Sequence, residues 1–379
     1  MLRGTLDELA GSMVDLSAAM IGLGARPLER ALGTDVSRQA TGAALRLLRQ
    51  SAELARAALP AEPGLDWLEL ANKLEAFEHF QQAPALIGLA PAAEVSLAEQ
   101  LRRADSFGAY RSIWTVEGLG YALADRALAA GPPPRRLLAD GAGLPAAAVV
   151  PLHTGAALAF AERLLAADSA PSAAALERWL PLWESNARPG YGDVAADALG
   201  LVARNLYPWR LPELDAALRT LDPALADLLW HGAGRGLYFA PVHALPWSGA
   251  AERALDRAWD EPADEAGRRN ATAGLAWALT LVNVRHPEVL ADLLRRRGRE
   301  IRAPEAFAHG VASAVLVWRD AAGRDPHLDA FLAYRPDGAR PALPALWHEL
   351  VLAPCETALR ETYPRLRQSG SFAALFRCA

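Results

Sequence analysis

Apolar residues along this chain recur every three to four positions far more often than every two. From Trp67 to Gln81, Leu68, Leu70, Leu74, Phe77 and Phe80 lie on one face, as an amphipathic helix requires. Thr41 to Leu59 predicts another helix, ended by Pro60 and Pro63, while Pro84 is expected to stop the helix that starts at Trp67. Ser96 with Glu99 three residues later has the capping-box spacing and predicts a helix start. Residues 1–40 read as two amphipathic helices joined at Gly22–Gly24. β-Branched residues are sparse and no apolar–polar alternation is sustained, so strands are not expected. The expected fold class is all-α.

Within this pattern a unit recurs. Glu117-Gly118 opens an Ala-rich apolar run that reaches Asp125-Arg126, and Thr154-Gly155 opens one that reaches Glu162-Arg163. Further copies are read at Tyr191-Gly192, His231-Gly232, Ala273-Gly274 and His309-Gly310, giving glycine spacings of 37, 37, 40, 42 and 36. Pro- and Gly-rich breaks separate these runs from more polar helices such as Ala173 to Trp183 and Pro212 to Leu221. Helical hairpins of about 37–42 residues, stacked as an α-solenoid or a closed ring, have this signature. A glycine near the start of each inner helix lets a neighbouring backbone come close. The expected division is a helical cap at 1–40, the repeat domain at 41–335 and a second cap at 336–379.

Composition narrows the function without naming it. With 52% hydrophobic and 22% charged residues the chain can bury a sizeable core. A net charge of −5 gives no electrostatic case for nucleic acid or an anionic membrane. Arg295, Arg296, Arg297 and Arg299 form the one basic cluster, which suits a helix C-terminus or, alternatively, an anion or partner site. Lys73 is the only lysine. Two late cysteines, Cys355 and Cys378, suggest neither a disulfide framework nor a thiolate metal site. No signal peptide and no transmembrane segment is read, so a cytoplasmic location is expected.

The densest chemistry lies between Trp230 and Trp247, a glycine-rich helix start followed by a loop expected from Pro241 and Pro246. Arg235 and Tyr238 follow His231 by four and seven residues, on one helical face. The residue before each inner glycine takes an equivalent place, so a curved stack would bring Glu117, Tyr191, His231 and His309 toward one concave face. These polar groups serve equally well as caps at helix starts. His231 and Arg235 are the candidate catalytic pair. Glu117, Tyr191, Tyr238, His309, Trp230 and Trp247 are the candidate ligand contacts. The tryptophans Trp114, Trp183, Trp230, Trp247, Trp277 and Trp318 accompany the inner helices either as gap fillers or as an aromatic lining. Glu75 and His79 are four apart on one helix, but the paired Glu-x-x-His motifs of a di-metal bundle are missing. His348-Glu349 before Cys355 has no identifiable activating partner for a thiol. There is no P-loop, dinucleotide fingerprint, nucleophile elbow or His-Glu-x-x-His motif, so no cofactor or metal is expected.

Glu117-Gly118, Gly190-Tyr191-Gly192 and Gly232-Ala233-Gly234-Arg235-Gly236 resemble the Glu-Gly, Gly-Tyr-Gly and Gly-x-Gly-Arg-small motifs of the domain of unknown function 1702 family, over roughly residues 110–335. That family includes the UnbL-type proteins of enediyne gene clusters. The resemblance implies an accessory role beside an enediyne-type polyketide synthase or a related secondary-metabolite pathway. It implies a hydrophobic, polyene-like intermediate, bound and optionally modified in a helical cavity. The alternative expectation is a non-catalytic solenoid scaffold that binds a partner protein.

Overall fold

Alanine and glycine at the helix contacts, with prolines at the joints, build a chain of closely packed helices. The computed structural model describes residues 34–86, 95–139, 143–166, 171–240, 249–337, 341–370 and 372–378. Among these residues there are fifteen α-helices and no strand. They are α1 (Thr34–Ala58), α2 (Ala61–Leu86), α3 (Leu97–Asp105), α4 (Ala109–Ala129), α5 (Ala146–Leu165), α6 (Ala173–Glu184), α7 (Val194–Leu206) and α8 (Leu211–Leu221). There follow α9 (Pro223–Phe239), α10 (Ala250–Asp260), α11 (Glu265–Val282), α12 (Pro287–Arg297), α13 (Pro304–Ala322), α14 (Pro326–Ala333) and α15 (342–369). None is long and apolar enough to cross a membrane.

Local signals explain most boundaries. The Ser96 hydroxyl accepts from the Glu99 amide at the start of α3, as the capping-box spacing predicts. Asp222, Asp264 and Asp325 cap α9, α11 and α14 in the same way. One expectation is corrected: Pro84 does not stop α2, which runs two residues further. Helix α1 begins at Thr34, seven residues before the predicted Thr41. In α15 two π-type turns, His348–Leu352 and Ala358–Thr362, each lie just before a proline, Pro354 and Pro364. A wider turn relieves the clash between a proline ring and the carbonyl of the preceding turn.

The inner contacts run in the order α2, α4, α5, α7, α9, α11, α13, and α13 then touches α4 and α5. Glycine sets how closely these helices lie. A Cβ on Gly155 would overlap the Glu117 carbonyl oxygen, one on Gly232 that of Asp197, one on Gly274 that of His231 and one on Gly310 that of Ala273. These glycines lie well inside their helices, not at the starts. Their contacts also fix the register of α7. Asp197 meets the next glycine just as Glu117, His231 and Ala273 do. Tyr191-Gly192, to which the sequence pattern gave that place, sits in the turn before α7. A Cβ on Gly192 would meet only the Glu184 side chain, at 3.4 Å. The physical reason is that α7 has Ala198 at the junction, so the letter pattern fails where the packing persists.

Polar bonds tie α2 to the end of α11. The Tyr110 hydroxyl lies 3.0 Å from both the Asn72 and the Val282 carbonyl oxygens, and Asn72 donates to the Asn283 side chain at 3.0 Å. One apolar core runs from α2 through α15, with a smaller one between α1 and α2.

Candidate functional site

The α9 sequence is apolar apart from a few residues, and two of those, His231 and Arg235, are one helical turn apart and almost fully buried. Their common partner is Asp197 of α7, also fully buried. Its Oδ1 lies 2.6 Å from His231 Nδ1, and its Oδ2 accepts from Arg235 Nη1. Glu117 of α4 approaches from a helix that is not a neighbour of α9, its Oε1 3.9 Å from Arg235 Nη2. The Arg235 guanidinium lies over the Trp277 ring, 4.5 Å from its centroid. Phe376 completes the group, with its ring centroid 5.8 Å from that of His231 and 6.0 Å from that of Trp277.

The charges decide the protonation states. Burial alone would raise the Asp197 carboxyl, but the Arg235 guanidinium and the His231 bond outweigh it and hold it below the ordinary carboxylate range. Burial lowers His231 below the ordinary imidazole value although Asp197 opposes the shift. Asp197 and Arg235 already neutralise one another, so a second cation there would lack a counter-charge. Neutral His231 therefore donates Nδ1–H to Asp197 and keeps its lone pair on Nε2, which has no partner among the described residues. Burial pushes Glu117 up to about 7, with Arg235 pulling it down and Asp197 pushing it up. The cluster thus holds a base and an acid whose environments move them apart from their ordinary values.

A pH effect on stability follows. Unfolded, Glu117 loses its proton near 4.5; folded, it keeps it up to about 7. It therefore adds stability that is complete below about pH 4.5 and is lost as pH rises through 7, about 3 kcal/mol in all. Urea unfolding of wild type and Glu117→Gln between pH 5 and 8 checks this. The variant is expected to gain about 2–3 kcal/mol relative to wild type across that range, since at pH 5 a small part of the effect is already lost.

The remaining candidates go elsewhere. Tyr238, on the same face as His231 but two turns along α9, belongs to a second cluster. It accepts from Asn283 Nδ2 at 2.7 Å, and the Lys73 ammonium lies 3.8 Å from its ring centroid. Lys73 is paired with Glu69 at 2.9 Å. Tyr191 stacks on His153 with centroids 4.5 Å apart, and its phenol, raised to about 12 by burial, faces the Phe372 backbone. His309, lowered to about 4 chiefly by burial, lies 3.4 Å by its Nε2 from the Ser313 hydroxyl and faces the backbone of Leu375 and Arg377. Trp230 donates to Asp215 of α8 at 2.8 Å and packs beside Gly267 at the start of α11, so it is tied to these two helices and not to Asp197. Trp247 and the loop expected at Pro241 and Pro246 lie outside the described residues. Glu75 is held by Arg111 and Arg285, and His79 by Thr115. Cys355 is buried, and burial raises its thiol.

Sequence reasoning missed Asp197 and Phe376. Asp197 left a signal: it is a lone acid in the apolar half of Val194–Leu206, where a charge requires a partner. Phe376 left none, because its contacts are made by a segment far along the chain. Comparison with family models, curated proteins and solved structures gave no match to this chain.

Proposed function

We propose that this protein binds a hydrophobic small molecule in its helical interior and moves a proton on it, with His231 as base, Glu117 as acid and Arg235 as the group that orients and stabilises charge. The observation that carries the reading is the Asp197–His231 pair, sealed from solvent, with Nε2 unpartnered among the described residues and Glu117, pushed up to about 7, reaching the same Arg235 guanidinium. Proton transfer from Glu117 to His231 leaves the cluster's net charge unchanged, so a ligand can take a proton on one side and give one up on the other. An inner stack of helical hairpins closing through α13 onto α4 and α5 accounts for the meeting of Glu117 and Arg235 across the interior. The secondary-metabolite setting, with a polyene-like intermediate of an enediyne-type pathway, rests on the motif resemblance alone and is compatible with an apolar interior.

Native mass spectrometry of protein purified from a producing host tests this, with His231→Ala as the comparison. A small molecule carried by wild type and lost from the variant is the expected result. Wild type that carries no small molecule but holds a second polypeptide contradicts it and favours the scaffold reading. The feature behind that second reading is the exposure of Leu47 and Leu54, seven apart on α1, at 66% and 72%.

A further inference from the structure

The segment 372–378 crosses the candidate site, and its contacts are of two kinds. Phe376 is fully buried, packed by His231 and Trp277, with the Arg235 guanidinium carbon 6.0 Å from its ring centroid. The flanking residues Phe372 and Leu375 are buried in the same apolar core, and polar clips hold the backbone beside them. Asn270 accepts from the Cys378 amide at 2.8 Å and donates to its carbonyl at 3.1 Å. The Arg377 side chain pairs with Asp227 at 3.1 Å, and Tyr191 and His309 face the backbone of Phe372 and of Leu375 and Arg377. The segment is one short turn, so it has fewer cooperative bonds to break on opening than the helices beneath it.

The three side chains around the Phe376 ring share a deficit. His231 Nε2, Arg235 Nε and Trp277 Nε1 are all buried and have no hydrogen-bond partner among the described residues. The arginine and tryptophan nitrogens can only donate, and a phenyl ring is at best a weak acceptor. Buried polar groups are almost always satisfied, so a cluster of three unsatisfied ones around one apolar side chain marks a berth shaped for another occupant.

We propose that segment 372–378 is a removable plug, that Phe376 occupies the place of the ligand's flat apolar part, and that the ligand is a conjugated carbonyl compound whose oxygen accepts from Arg235 and Trp277. The ligand class rests on the proton-transfer reading above; removal of the plug does not. Carbonyl oxygen suits two donor-only nitrogens, and the carbonyl makes an adjacent proton acidic enough for the His231 lone pair.

The test uses acetophenone and ethylbenzene, which share a ring and a shape and differ in the carbonyl. Binding is followed by ligand-detected NMR on wild type, on Phe376→Ala and on a clip variant, Asn270→Ala with Asp227→Ala, each checked by circular dichroism. Phe376→Ala is expected to bind acetophenone at least about tenfold more tightly than ethylbenzene. The clip variant is expected to bind acetophenone with Phe376 still present. Equal binding of the two probes by Phe376→Ala overturns the ligand class, while the proton-transfer reading is overturned separately by a wild type that carries no small molecule in native mass spectrometry. Acetophenone preference in Phe376→Ala without binding by the clip variant overturns the plug and leaves the proton-transfer reading standing. If either variant fails to fold, hydrogen exchange of wild type decides the plug. Faster exchange of the 372–378 amides near the solubility limit of acetophenone supports it, and unchanged exchange overturns it.

Discussion

Replacing Gly232 by alanine is expected to cost more than about 3 kcal/mol or to prevent folding, whereas Gly192→Ala is expected to fall within about 1 kcal/mol of wild type. At Gly232 the added Cβ overlaps the Asp197 carbonyl oxygen, a backbone atom that moves only if α7 moves. Displacing α7 also withdraws the Asp197 carboxylate from His231 and Arg235, so packing and charge pairing fail together. At Gly192 the nearest atom is on the Glu184 side chain at 3.4 Å, and the backbone is not in the left-handed region. Urea unfolding of the two variants separates a glycine required by close packing from one that only shares the letter pattern.

Asp197→Ala is expected to destabilise the protein by about 3–5 kcal/mol, because it leaves the buried Arg235 guanidinium without its counter-charge. Two further consequences distinguish this from a simple cavity. Glu117 becomes the only carboxylate near Arg235 among the described residues and loses the repulsion of Asp197, so its pKa falls below 7. The pH dependence of stability above pH 5 then weakens. Combining Asp197→Ala with Arg235→Met is also expected to cost less than Asp197→Ala alone, since the second change removes the stranded charge. A urea series on the two single variants and the double variant at two pH values measures both effects.

The all-helical fold was legible because Ala-rich runs, apolar faces and prolines act locally. The Ser96 cap and the polar helices α6 and α8 are where those signals place them. What required the third dimension was register. A glycine in the sequence reports that a backbone needs room, but not which backbone needs it. Gly192 and Gly232 look alike as letters, yet only Gly232 faces a carbonyl. The site divides along the same line. His231 and Arg235 were readable from their four-residue spacing, and Glu117 from its place before a glycine. Tyr238 shares their face, but the length of α9 carries it to Lys73 and Asn283. Asp197 was hidden because its helix has alanine where the pattern required glycine. Phe376 was hidden because a fold-wide contact leaves no local trace.

Asp197 holds His231 neutral, with the imidazole lone pair on Nε2. Nitrogen-15 NMR of histidine-labelled protein, with His231→Gln to assign the signals, tests it most directly. At pH 6, below the ordinary imidazole value, His231 is expected to show a protonated Nδ1 and an unprotonated Nε2. Two protonated nitrogens at pH 7 would make His231 a permanent cation in a structural ion pair and would contradict the assignment of a base.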